Sequence, residues 1–333
     1  MSEAVQFLHI GDYKTGTTWL QRHVLGADDR IYLVGEGGDE LEAELWAALE
    51  TLTYATEFDA EQWAARFSGL MRERSIQRSV IAGISRESLI CGDPFHFHNW
   101  REMAQRLRQV FGPVKIIITF RNIKTLLPSL YSTYIKIGGT KSMKDLFLDP
   151  ARLQHFHERL NYSEIKTYYI NLFGEENCLF LNYEELRQSP EKFVGGFYEF
   201  IGLQPPSIES TVQERPNPSL TVTGATFQRY MNHGVRSMFN RRSVSPILES
   251  LIAKGIRLVK QTDTALQKRR LSHLDAQTLS EMGGEFPIEN THYLAGIRAI
   301  AERISWGRPL MLDPQVAAEV DSAKITFGKN GND

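Results

Sequence analysis

The chain has 333 residues, of which 42% are hydrophobic and 23% charged, with a formal net charge of −2. Those proportions are ordinary for a soluble globular protein, and the length fits one large α/β domain with insertions or two domains. The near-neutral total hides an asymmetry: residues 1–100 hold 16 Asp/Glu against 8 Lys/Arg, whereas 225–271 hold 10 Lys/Arg against only Glu249 and Asp263.

Several classes fall away early. Cys91 and Cys178 sit in or beside apolar runs and suggest neither a disulfide framework nor a metal site, and the nine histidines lack paired zinc-ligand spacing. No basic-then-apolar leader precedes the first strand, and no run of about 18 apolar residues offers a membrane span. The expectation is a cytoplasmic location.

The first element is the apolar run Val5–Ile10, which passes into a loop with two glycines, Lys14 and three threonines and then into a helix from Thr18 through Val24. A buried strand feeding a Gly/Thr loop and a helix is a geometry that cradles phosphate or sulfate, because backbone N–H groups converge where the helix dipole favours negative charge. Gly16 allows close backbone approach, Lys14 adds a mobile cation, and the Thr17 and Thr18 hydroxyls add donors. A Walker P-loop carries its lysine after the last glycine; here Lys14 comes two residues before Gly16.

Ile31–Val34 is a short strand ending at Gly35-Glu36-Gly37-Gly38, and residues 39–77 read as two core-packed helices. Val80–Ser85 is a further strand running into Arg86-Glu87-Ser88-Leu89, which sets Glu87 at a strand end facing the ligand crevice of an open parallel sheet. A helix over about 100–111 precedes Val114–Phe120, an almost unbroken apolar strand of the kind buried on both faces. That strand ends at Arg121-Asn122, and a helix follows that Pro128 bends or opens. Arg121 and Ser129 are eight residues apart, so a guanidinium at a strand end and a hydroxyl on the next helix can converge on one phosphate. Asn177–Tyr183 is the last strand expected, leading through Glu184-Glu185-Leu186 into a helix Pro190–Ile201 closed by Gly202.

The alternation predicts a three-layer α/β/α domain with a mainly parallel central sheet over 1–220. A helical, basic C-terminal part over 221–327 is expected to belong to the same domain and to help complete the site, with 328–333 a frayed tail.

Three separated segments resemble one family in the right order. Lys14-Thr15-Gly16-Thr17-Thr18-Trp19 resembles the 5′-phosphosulfate loop of sulfotransferases that use 3′-phosphoadenosine 5′-phosphosulfate (PAPS). Phe120-Arg121-Asn122 through Ser129-Leu130-Tyr131 resembles their 3′-phosphate-binding strand and helix. Leu181–Leu186, followed by Pro190, Phe193, Phe197, Ile201 and Gly202-Leu203, resembles the segment beyond it.

The resemblance implies PAPS as donor, its bisphosphate (PAP) as product, no metal, and a P-loop-like binding loop. It implies that Lys14 stabilises charge on the bridging oxygen, that Thr15, Gly16, Thr17 and Thr18 hold the 5′-phosphate, and that Trp19 stacks on adenine or belongs to the core. Arg121 and Ser129 would hold the 3′-phosphate, Tyr183 would reach the adenine edge or be structural, and Asn217 and Ser219 would cover the nucleotide or form a turn. Where small-molecule sulfotransferases carry a Lys-Thr-His pattern, this chain has Ser85-Arg86-Glu87, which makes Glu87 the expected general base. Glycan sulfotransferases carry a glutamate after the first helix, which keeps Glu36 as the alternative. His96 and His98 line the acceptor pocket or are solvated.

The expected acceptor is a hydroxyl of a carbohydrate, glycolipid or related small molecule. The basic 225–271 stretch is a solvated face or an anionic-surface contact; no nucleic-acid motif occurs. A P-loop nucleotide kinase and a catalytically degenerate interaction module remain the competing classes.

Overall fold

The computed structural model describes residues 5–74, 80–95, 99–147, 149, 156, 158–207, 222–237 and 239–240. His96, His98, Asn217, Ser219, the basic run beyond residue 240 and the expected tail lie outside the described residues.

In chain order the elements begin β1 (Phe7–His9), α1 (Thr17–Leu20), β2 (Ile31–Leu33), α2 (Glu40–Tyr54), α3 (Ala60–Glu73), β3 (Ile81–Ser85) and α4 (Ser88–Cys91). They continue with α5 (Trp100–Phe111), β4 (Lys115–Phe120), α6 (Ile123–Lys136), α7 (Met143–Phe147), α8 (Tyr162–Phe173) and β5 (Cys178–Asn182). Last come α9 (Tyr183–Gln188), α10 (Pro190–Ile201) and α11 (Val222–Asn232). All five expected strands form inside their apolar runs. The chain falls into two compact units, Met1–Arg121 with Tyr162–Asn217, and Asn122–Asn161 with Pro218–Asp333.

The first unit holds a five-stranded sheet in the order β2-β3-β1-β4-β5. Every pairing is parallel. Phe7 of β1 pairs in register with Gly83 of β3, and its ring lies across that residue: a Cβ on Gly83 would stand 2.0 Å from Phe7 Cζ. On the same face Phe7, Ile117 and Leu181 pack with Leu20, Val24 and Leu25 and with Phe193, Val194 and Phe197 of α10. Phe120, of opposite parity on β4, instead stacks at 4.4 Å on Tyr162 of α8. Helices thus cover both faces, and the sheet is the middle of three layers. Phe7, Phe120, Phe193 and Phe197 are essentially fully buried. Burial of such a side chain contributes about 1.5–3 kcal/mol before entropy is counted.

Helices α2, α3 and α5 open on Asp39, Asp59 and Asn99, whose side chains accept backbone N–H bonds from the first turn. Trp63 stacks on Phe67 at 4.7 Å, meets Phe111 edge-on and donates its indole N–H to Ala48 O at 2.8 Å.

Two local features depart from the expectation. The first helix is regular only over Thr17–Leu20 and widens into a π-type turn, Gln21–Leu25, closed by Gly26 N donating to Gln21 O at 2.8 Å. A Cβ on Gly26 would stand 2.6 Å from that carbonyl, so glycine is what lets the wider ring close. And β5 runs directly into the short helix α9 at Tyr183.

In the second unit Asn122 caps α6 by accepting Lys124 N at 2.9 Å, and Pro128 lies inside the helix. Gln228 and Asn232 of α11 donate to Ile135 O at 3.1 and 2.9 Å, supplying partners for a carbonyl of the last turn of α6. Among the described residues no helix is long and apolar enough to cross a membrane, and no group of three or more His, Cys, Asp or Glu is arranged to hold a metal ion.

Candidate active site

Because β1 lies between β3 and β4, the chain leaving His9 emerges at the middle of the sheet's carboxyl edge, where open parallel sheets bind ligands. The loop there is tied from within. Asp12 N donates to Thr119 O at 3.2 Å, Tyr13 N donates to Asp12 Oδ1 at 2.7 Å, and the Thr15 hydroxyl donates to Asp12 O. The Thr15 hydroxyl proton is therefore spent on closing the loop.

Lys14 has φ 66°, the only positive φ at a non-glycine among the described residues. A left-handed lysine costs on the order of 1–3 kcal/mol, and such strain concentrates at ligand clamps. Gly16 follows at φ 88°, where an added Cβ would stand 2.6 Å from Leu186 Cδ2 and 3.3 Å from the Tyr183 ring. The backbone conformation demands glycine there, and a methyl would fit only if the Leu186 side chain shifted.

The helix starts with Gly16 as its N-cap, so no side chain satisfies the first amides. Thr17 is 3% exposed, and its Oγ1 has no hydrogen-bond partner. A buried hydroxyl left this way costs about 1–3 kcal/mol and calls for an explanation. An oxyanion seated on the loop would supply a partner for it. Ser88 Oγ, beside Glu87, is buried without a partner as well.

The cations converge on the same loop. Arg121 is 7% exposed; its Nη1 donates to Lys14 O at 2.7 Å, and its guanidinium lies 4.5 Å from the centre of the Tyr183 ring. The Tyr162 hydroxyl donates to Arg121 O at 3.0 Å, fixing the backbone at the end of β4. Burial pulls the Arg121 pKa down from its ordinary value, against the opposing influence of Tyr183 and Glu184. Burial likewise lowers the Lys14 pKa, while the Glu87 carboxylate pulls it up and Arg121 pushes it down. Lys14, Glu87 and Arg121 therefore share one electrostatic neighbourhood.

Tyr183 lies against both Gly16 and Arg121 and so acts as a clamp on the loop. Trp19 is partly buried against the hydrophobic core and sits 6.2 Å from the His23 ring. Ser129 is buried on α6, in the second unit, and its carbonyl accepts the Thr133 hydroxyl at 3.2 Å.

A cavity of about 580 Å³ opens beside α1 and the end of β2, lined among others by Thr18, Gln21, Tyr32, Glu36 and Arg74. Glu36 is solvent-accessible, yet surrounding protein raises its pKa, with Arg86 opposing. Glu42, 1% exposed, accepts from the Tyr32 hydroxyl and from Gly35 N at 2.8 Å and pairs with Arg74 at 3.1 Å, holding the turn that carries Glu36. Arg86, just before Glu87, pairs with Glu50 and lies 4.9 Å from the centre of the Trp46 ring.

Sequence reasoning passed over His9, Asp12 and Gln21. His9 is fully buried on β1, with Nδ1 2.9 Å from Ser85 Oγ and Nε2 3.3 Å from Thr119 Oγ1. Burial lowers its pKa to about 4, so the ring is neutral at neutral pH. Gln21 Nε2 donates to Ser85 O at 2.6 Å. The signal available was a histidine inside an apolar strand.

A sequence model described as a sulfotransferase domain matches residues 6–217, more than half of the chain. No curated protein matches. Among solved structures, a sulfotransferase from Alicyclobacillus acidocaldarius is 18% identical, covering 80% of this chain and 97% of its own at a TM-score of 0.45. A mouse sulfotransferase, SULT7A1, solved with PAP, is 13% identical, with coverages of 84% and 90% and a TM-score of 0.37. The sulfotransferase domain from the curacin biosynthetic pathway is 12% identical, with coverages of 92% and 99% and a TM-score of 0.38. On the match of the domain model, the chain belongs to the sulfotransferase family.

Proposed function

We propose that the chain moves a sulfuryl group from PAPS to a hydroxyl of a carbohydrate, glycolipid or related small acceptor. The observation that carries the donor assignment is the Thr17 hydroxyl, buried without a partner at the mouth of a loop held in left-handed conformation at Lys14 and Gly16. The residues present fit an oxyanion: glycine for close approach, uncapped amides, an orphaned hydroxyl and two cations.

PAPS supplies an activated sulfuryl group whose bond to the bridging phosphate oxygen breaks on transfer. Lys14 stabilises the charge that develops on that oxygen. The amides of Gly16, Thr17 and Thr18 and the two threonine hydroxyls hold the 5′-phosphate, and Arg121 takes the 3′-phosphate. Glu87 accepts the proton of the acceptor hydroxyl as its oxygen bonds to sulfur, a role supported by the pull of Glu87 on Lys14. As in phosphoryl transfer, positioning and charge stabilisation carry most of the rate.

Glu36 has a claim of its own, because it lines the cavity together with Thr18 and its raised pKa suits a base. Glu87→Gln and Glu36→Gln separate the two: the base is the residue whose loss lowers kcat without weakening PAP binding. The polar lining of that cavity supports a hydroxyl-rich acceptor.

The first test is thermal stability with PAP against ADP–magnesium. A ligand at 100 times its Kd adds about 2.7 kcal/mol. Selective, magnesium-independent stabilisation by PAP is the expected result. Stabilisation by ADP–magnesium instead would move the chain to the nucleotide kinases, whose Walker-B strand presents a metal-binding Asp where β4 here is followed by Arg121. No response to either points to a degenerate interaction module.

A further inference from the structure

We propose that His9 is a positioning residue of the transfer site, a side chain that ties together the three strand ends from which the site is built. It rests on the PAPS reading for its catalytic meaning, though not for its structural content.

Three pieces of the site leave the sheet separately: the anion loop after β1, Glu87 after β3 and Arg121 after β4. Parallel backbone bonds align the strands and carry on past β1 through Ile10 N to Ile117 O and Asp12 N to Thr119 O, but they do not fix the side chains at the strand ends. His9 is the last residue of β1, and its ring spans both neighbours. Nδ1 reaches Ser85, the last residue of β3, and Nε2 reaches Thr119, two residues before Arg121, across sequence separations of 76 and 110. The His9 carbonyl adds a third tie by accepting Arg86 N at 2.9 Å.

The ring also bounds the loop from below. A Cβ on Gly11 would stand 3.1 Å from His9 Nε2, 3.2 Å from Thr119 Cβ and 3.2 Å from Thr15 Oγ1, so the loop's first residue rests directly on this group. Phe197 closes the remaining side, ring to ring at 5.7 Å. With one ring nitrogen donating and the other accepting, a neutral imidazole satisfies a hydroxyl at each end, which neither an aliphatic nor a lysine side chain does. Small displacements at such a junction reach Lys14, Glu87 and Arg121 together, and catalytic geometry tolerates little misplacement.

The experiment uses the full chain as His9→Phe, His9→Asn and Thr119→Val, read by amide hydrogen exchange of the unliganded protein and by calorimetric titration with PAP. In His9→Phe, exchange should rise together over residues 10–20, 85–91 and 119–122 while α3 stays at its wild-type rate, and PAP should bind about tenfold more weakly. His9→Asn keeps an amide near the Nδ1 position and should recover the 85–91 segment; Thr119→Val should loosen 119–122 alone. A uniform rise across the sheet, or wild-type exchange with wild-type PAP affinity in His9→Phe, overturns the proposal. If His9→Phe does not fold, the segment-specific pattern of the other two variants decides. Wild-type protein that ignores PAP would sink the donor assignment, and the exchange pattern would still judge His9.

Discussion

Arg121 Nη1 donates a 2.7 Å hydrogen bond to the carbonyl oxygen of Lys14, joining residues 107 positions apart. The bond holds the left-handed turn at Lys14, and Tyr183 stacks behind the guanidinium. One arginine thus ties the end of β4 to the loop. Arg121→Ala should weaken PAP by about 100-fold, since bonds to charged groups are worth roughly 1.5–3 kcal/mol each. Adenosine 5′-phosphosulfate, lacking the 3′-phosphate, should lose only about tenfold through the loosened loop. Calorimetry on both ligands checks this; equal losses would confine Arg121 to the loop. Arg121→Lys should fall between, because an ammonium lacks the planar fork.

Thr17→Val should act with opposite signs on stability and binding. Replacing a buried, unpartnered hydroxyl with a methyl removes a desolvation cost, so the unliganded protein should gain about 1 kcal/mol. PAP affinity should drop about tenfold for the lost donor. Denaturant unfolding and titration on the same preparation test it, and a destabilised valine variant would refute the orphaned-hydroxyl account.

Gly16→Ala meets two obstacles, the φ of 88° and the 2.6 Å approach to Leu186 Cδ2. The expected cost is about 1–3 kcal/mol, with PAP binding lost or severely weakened. Adding Leu186→Ala should relieve the clash but not the backbone strain, so binding should recover only partly. Full recovery would show that the conformation itself matters little.

The burial of His9 writes a pH signature into stability. Its pKa is about 4 in the folded state against 6.5 ordinarily, so the unfolded chain takes up the proton more readily. The stability tied to the neutral ring is complete above pH 6.5 and drains away as pH falls toward 4, by on the order of 3 kcal/mol. The difference in unfolding free energy between wild type and His9→Asn should shift by that amount over this window. A pH-independent difference would mean the ring is not held neutral.

What was legible in the sequence follows physical lines. Ile116-Ile117-Ile118 announced a strand buried on both faces, and the strand is there, paired on both sides. The expectation that Lys14, Gly16 and Thr17 form an anion-binding loop could be read from the sequence because that chemistry calls for those residue types in close order, and the structure sets them in one left-handed turn. His9 and Asp12 were not, since one polar residue in or after an apolar strand carries no period, and their partners lie on other strands. The clamp of Tyr183 on Gly16 was hidden for the same reason: packing between distant segments leaves no local mark. The choice between Glu87 and Glu36 stayed open because two turns at neighbouring strand ends bring both carboxylates to the loop's surroundings.

The sheet order has a consequence for how the chain is made. β1, central and apolar, is synthesised before the other strands of its sheet, and its neighbours β3 and β4 begin only at Ile81 and Lys115. At ribosomal rates of about 5–20 residues per second, β1 waits several seconds or more for each partner. During that interval Phe7 and Leu8 have no sheet to enter, and the edges of β1 are open to pairing with another nascent chain. A sheet whose central strand waits for both neighbours therefore closes late, and its early vulnerability is aggregation through the open edges of β1.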